Sequence, residues 1–125
     1  MAANAARAAG LGAPGIDLNF GCPAKTVNRS QGGAALLRTP KVVRSICQQV
    51  RDNVPCATPV TAKIRLGYDS DNHFHEILDA LSDVSLSEVI IHARTKRQGY
   101  RPPAHWHQLR EASLALPCPV IANGE

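Results

Sequence analysis

Four short runs rich in Val, Ile and Leu punctuate the chain: Gly15 to Phe20, Val60 to Arg65, Glu88 to His92 and Val120 to Asn123. Gly, Pro or polar residues bound each run, as expected of short buried strands. The segments between them have helical spacing instead. Thr39-Pro40 offers an N-cap and a proline at the first helical position, after which Val42, Val43, Ile46 and Val50 are expected to form one apolar face. Phe74, Ile77, Leu78 and Leu81 predict a second such face, and Trp106, Leu109 and Ala112 a third, weaker one. The alanine-rich opening predicts a helix that ends near Gly10 or Gly12.

Helix and strand thus alternate four times, the order of a parallel α/β architecture. Strand parity sharpens this. Asp17 and Asn19 share one side of the first strand, opposite Ile16, Leu18 and Phe20. Thr61, Lys63 and Arg65 share a side of the second, opposite Val60, Ala62 and Ile64. His92 and Arg94 follow Ile90 on one side of the third, and Asn123 and Glu125 follow Ile121 in the fourth. Each strand therefore gathers polar groups on one face near its C-terminal end. A TIM (β/α)8 barrel does this at its mouth, whereas a doubly wound sheet needs apolar residues on both faces. A closed barrel takes eight such units and about 250 residues. The expectation is one partial barrel domain over residues 1–125, about four consecutive βα units, with an exposed strand edge at each end.

Composition adds bounds. With 44% hydrophobic and 19% charged residues the chain can build a core. A net charge of +4 is compatible with a polyanionic partner without demanding one. The four cysteines at 22, 47, 56 and 118 form no C-x-x-C pair, which argues against a disulfide framework or zinc site and for a reducing, cytoplasmic setting. No apolar run approaches the roughly 20 residues of a membrane span, and the opening segment reads as a helix and not a signal peptide. His73/His75 and His105/His107 are spaced so that helical partners point apart, so no metal is expected.

Cys22 follows a strand directly, between Gly21 and Pro23, which holds its thiol at a strand end where ligands bind. A lone cysteine would otherwise read as a small buried hydrophobe. Lys63 and Arg65 fit either a solvated strand end or an internal ion pair with Asp17. With His92, Arg94 and Asn123-Gly124-Glu125 in equivalent places, four strands converge on a candidate catalytic mouth. The segment from Arg94 to Arg101 carries Lys96 and Arg97 as well, plus Tyr100, and suits phosphate contact and base stacking or simply a solvated loop. Tyr100 and Arg101 are the preferred contacts. Lys25 to Gln31 reads as a polar loop, and Gly32-Gly33 as a site of tight helix packing, with no G-x-G-x-x-G fingerprint. Cys47 falls on an apolar helix side; Cys56 and Cys118 precede strands, away from the chemistry.

Gly15-Ile16-Asp17-Leu18-Asn19-Phe20-Gly21-Cys22-Pro23, Ala62-Lys63-Ile64-Arg65, His92-Ala93-Arg94-Thr95 and Asn123-Gly124-Glu125 resemble the tRNA-dihydrouridine synthases in order and spacing. Lys25-Thr26-Val27-Asn28, Gly32-Gly33 and Gln98-Gly99-Tyr100-Arg101 are most similar to the bacterial subclass acting on uridine 16 of the tRNA D-loop. The resemblance implies a TIM-barrel reductase that uses FMN recharged by NADPH, with Cys22 protonating C5 of uracil opposite the hydride added at C6. It implies Lys63 at the flavin ring edge, His92 beside flavin and substrate, and Asn123, Gly124 and Glu125 along the ribityl phosphate. Asn19 would hold an extruded uracil, Arg94, Tyr100 and Arg101 would meet tRNA, and Lys25 to Gln31 would be a mobile lid. Against that family's pattern the chain lacks an N-terminal strand, the strand whose glycine-rich end holds the FMN phosphate, and a C-terminal helical domain. Dimerisation or missing barrel segments would then complete the site. The alternatives are another FMN barrel of the dihydroorotate dehydrogenase type, or an RNA-binding fragment without flavin; the basic segment from His92 to Arg101 favours the tRNA enzyme.

Overall fold

In the computed structural model, which describes residues 1–124, ten elements follow one another. They are α1 (Ala2–Gly10), β1 (Ile16–Asn19), α2 (Lys25–Arg29), a 3-10 helix (Gly33–Arg38), α3 (Pro40–Asn53), β2 (Val60–Arg65), α4 (Phe74–Ser82), β3 (Glu88–His92), α5 (His107–Ala115) and β4 (Val120–Asn123). The strands form one parallel sheet in the order β1-β2-β3-β4. Three expected strands have the observed bounds, and the first is trimmed to Ile16–Asn19. Consecutive parallel neighbours, each reached through helix, make four βα units of an α/β barrel. This is the expected partial barrel.

The core lies between the apolar sheet face and the helices. Leu18, Val60, Ala62, Ile64, Val89 and Ile91 are buried from the sheet, and each large aliphatic chain so placed contributes about 1.5–3 kcal/mol. α1 packs on α3, α3 on α4, and α4 on α5, giving a continuous helical layer. On α4, Phe74, Ile77, Leu78 and Leu81 are all buried as the spacing predicts. α3 differs by one position. Its buried stripe is Val43, Cys47 and Val50, with Ile46 beside it, while Val42 is 40% exposed. Val42 and Val43 sit about 100° apart on a helix, so one stripe cannot take both. Thr39 occupies the cap position but makes no side-chain cap bond, so Pro40 is the stronger start signal. Trp106 precedes α5 and is 46% exposed, leaving Ala112 as the buried anchor of that helix and Leu109 packed against the core.

β1 and β4 are the sheet edges. On β4 all but Val120 are exposed, including Ile121 and Ala122. Cys56 and Cys118 lie before β2 and β4, at the end of the sheet opposite Cys22.

Candidate active site

The register sets the site. Asn19 lies level with Lys63, and one step further along, Arg65, His92 and Asn123 form a row across β2, β3 and β4. Their side chains share the polar face. At its C-terminal rim they line a cavity of about 460 Å³ with Gly21, Cys22, Pro23, Arg94, Tyr100 and Gly124. That volume falls in the range of small-molecule sites, about 300–1,000 Å³. Asn19, Cys22, Lys63, His92, Arg94, Tyr100, Asn123 and Gly124 are thus brought together as the sequence suggests. Glu125 lies outside the described residues. Arg101 is not in the lining: its guanidinium folds back onto the carbonyls of Gln98 and Arg97, both at 3.3 Å.

Cys22 is held by its backbone. Its carbonyl accepts from the Asn28 side-chain amide at 2.9 Å and from the Ala34 N–H at 3.1 Å. Asn28 also donates to the Ala24 carbonyl at 2.7 Å. The segment expected as a loop is therefore the short helix α2, fastened to the cysteine through one side chain. Gly33 has φ +56°, and a Cβ there would lie 2.9 Å from the Cys22 oxygen. The tight helix packing expected of Gly32-Gly33 is found against α2, where both approach Val27, and Gly33 also abuts the Cys22 turn. Asn19 accepts the Gly21 N–H at 2.9 Å, which fixes the strand exit and engages the oxygen of its amide.

Arg65 is what the sequence underread. It is 2% exposed, and it donates from Nε to the Gly21 carbonyl at 2.9 Å and from Nη1 to the Gly99 carbonyl at 3.0 Å and the Thr95 carbonyl at 3.4 Å. Its guanidinium also lies 5.3 Å from the Tyr100 ring centroid. One side chain thereby ties the Cys22 strand exit to the loop after β3. The available signal was an arginine on the inner face two residues after Lys63, but its carbonyl partners come from distant segments. Neither Lys63 nor Arg65 pairs with Asp17. Asp17 instead accepts from Thr61 Oγ1 at 2.7 Å, and Lys63 donates to Asn123 Oδ1 at 3.1 Å.

The lining contains Lys63, Arg65 and Arg94 and no carboxylate among the described residues. Burial, then the Arg65 charge, lowers the Lys63 pKa, with Asp17 pulling it back. Burial, followed by the charges of Arg65, Lys63 and Arg94, pushes the His92 pKa down to about 4. Its imidazole is therefore neutral near pH 7. Arg94 Nη1 sits 3.3 Å from His92 Nε2, so the guanidinium donates and the imidazole proton is on Nδ1. Tyr100, 72% exposed, closes the rim with its ring centroid 5.7 Å from that of His92.

Such a lining suits a planar, electron-rich and anionic group. Gly124 has φ +105°, and a Cβ there would lie 2.8 Å from His92 Cδ2, so a glycine keeps the strand end open beside the imidazole. Cationic walls, amide groups and that cradle fit FMN. No group of three or more His, Cys, Asp or Glu suited to a metal occurs among the described residues, and no helix there is long and apolar enough to cross a membrane.

Comparison with known proteins places this architecture. Residues 1–125 match the family model described as Dihydrouridine synthase (Dus). The whole chain is 52% identical to the tRNA-dihydrouridine(16) synthase of Pseudomonas syringae pv. tomato, covering 39% of that protein. It is 53% identical to the protein of that name from Shewanella oneidensis and 48% to that from Salmonella typhimurium, covering 40% of each. The chain spans about two fifths of the length of the curated relatives it matches.

Proposed function

The chain belongs to the dihydrouridine synthase family, and from that premise we propose that the protein carrying it reduces uridine 16 of the tRNA D-loop to 5,6-dihydrouridine. The observation that carries this reading is the placement of Cys22. Its thiol stands at the rim of a cationic cavity in which the imidazole is neutral. In that cavity Lys63, Arg65 and Arg94 are cations, and His92 carries no excess proton at neutral pH. The resemblance of the Asn19 to Pro23 segment to the family gives the general-acid role to Cys22, and its place in the lining supports that role.

FMN, when bound, supplies hydride equivalents to uracil C6 and is recharged by NADPH. Lys63, His92, Asn123, Gly124 and Glu125 are the residues we assign to hold it. Asn19, Arg94 and Tyr100 hold and stack the uracil, which must be swung out of the folded tRNA to reach a cavity of this kind. As the C5=C6 bond is reduced, negative charge builds on the uracil C5 and O4, and Arg94 stabilises it. Cys22 gives its proton to C5, a new C–H bond forms, and the thiolate recovers a proton from water. Arg101, outside the cavity, is left to the tRNA surface.

Residues 1–125 are in this reading the part of an FMN-dependent barrel that carries the acid. Four further strands are needed to pair the β1 and β4 edges. The additional length of the relatives is the source we propose, with a second copy as the other arrangement. The same family match weighs against the dihydroorotate dehydrogenase type. The test is incubation of full-length protein with NADPH and unmodified tRNA, followed by mass mapping of nucleosides. The reading expects two hydrogens gained at uridine 16; a product at another position, or none with a flavin-loaded protein, overturns it.

A further inference from the structure

Beside the Cys22 cavity, the strand-end segments build a second, separate hollow of about 230 Å³, lined by Lys25, Asn28, Arg29, Tyr68 and Lys96. Its cations come from α2 and from the loop after β3, and its aromatic from the turn after β2. Lys96 Nζ lies 4.7 Å from the Tyr68 ring centroid. The backbone keeps that arrangement: the Lys96 N–H donates to Gly67 at 2.9 Å and the Arg97 N–H to the Tyr68 carbonyl at 2.8 Å. Arg38 also rests on Tyr68, at 3.7 Å, but its charge is met by Asp69 at 2.9 Å. Lys25, Arg29 and Lys96 make no ion pair among the described residues, and no carboxylate lines the hollow.

Three like charges gathered around one space without a counterion favour an anionic ligand. We propose that this hollow binds a backbone phosphate of the RNA strand next to the nucleotide inserted at Cys22, an assignment that rests on the tRNA reading above. A polymer that extrudes one nucleotide into a cavity must lay its neighbouring phosphates on the rim, and this hollow is on that rim. α2 links the two sites. Its Lys25 and Arg29 line the hollow, while its Asn28 holds the Cys22 carbonyl at 2.9 Å. Phosphate in the hollow therefore draws on the same five-residue helix that seats the acid.

The test compares full-length protein with the combined variant Lys25→Gln, Arg29→Gln and Lys96→Gln, titrating tRNA over a range of salt concentrations. Loss of three phosphate-facing charges lowers the slope of log affinity against log salt by about 2, and weakens tRNA binding most at low salt. NADPH reduction of the bound flavin stays at the parent rate. An unchanged slope with a parent that binds tRNA normally overturns the hollow alone. Loss of flavin reduction with intact tRNA binding assigns the hollow to the dinucleotide and also overturns it. A flavin-loaded parent that neither binds nor modifies tRNA overturns the underlying reading.

Discussion

Replacing Gly33 by alanine tests how the Cys22 turn is held. The residue sits at φ +56°, a left-handed conformation that costs an L-residue about 1–2 kcal/mol. The new methyl would also lie 2.9 Å from the Cys22 oxygen, 3.0 Å from the Cys22 Cβ and 3.1 Å from Val27 Cγ1. Two of those atoms belong to the chain segment that Asn28 and Ala34 fix, so relief requires backbone movement. Overpacking of this kind costs about 1–3 kcal/mol. The reduced entropy of the unfolded chain returns about 0.4–1 kcal/mol. The balance is a net loss of about 2–3 kcal/mol, read as a shift of the denaturation midpoint. Gly10 is the internal control, because a Cβ there meets nothing within 4 Å. Gly10→Ala is expected within about 0.5 kcal/mol of the parent or slightly more stable. Cys22 alkylation should change rate in Gly33→Ala and not in Gly10→Ala. Equal stability of the two variants, with equal Cys22 reactivity, would mean that Gly33 does not hold the Cys22 turn.

Two further outcomes follow from the titrating groups. The His92 pKa is about 4 in the folded chain and near 6.5 when unfolded. Between those values the unfolded state binds a proton that the folded state refuses, so stability falls as pH drops from about 7 toward 4 and is flat in this respect above 7. His92→Gln should flatten that slope in denaturation series; an unchanged slope would remove His92 from the account. Burial pushes the Cys47 thiol up to about 12, whereas Cys56 is exposed. A thiol reagent should therefore modify Cys56 promptly and Cys47 only on unfolding, a difference peptide mapping resolves.

Strand parity made the polar rim legible, because a period of two leaves little choice of face once one side is apolar. Val60–Arg65, Glu88–His92 and Val120–Asn123 needed no correction for that reason. The turn after Cys22 was illegible in the same terms. α2 has five residues and no buried side chain, so it offers no periodicity to read. Its meaning lies in Asn28 reaching back to Cys22, a contact set by the whole turn. Arg65 escaped for a related reason: its partners are backbone carbonyls from two other segments, and carbonyls leave no mark in the residue pattern. Arg101 lies beyond the cavity lining. Its position could not be read from the basic run, because the carbonyls of Gln98 and Arg97 that its Nε and one terminal nitrogen reach leave no mark in the residue pattern.

In the proposed reaction Cys22 donates the proton to C5. The most direct measurement is the rate of dihydrouridine formation at position 16 by full-length Cys22→Ala, with flavin content and tRNA affinity recorded beside it. Loss of a positioned general acid predicts a fall of about 10²–10⁴ in the reduction step, with flavin and tRNA binding retained. Product formation at the parent rate would mean that another group gives the proton to C5.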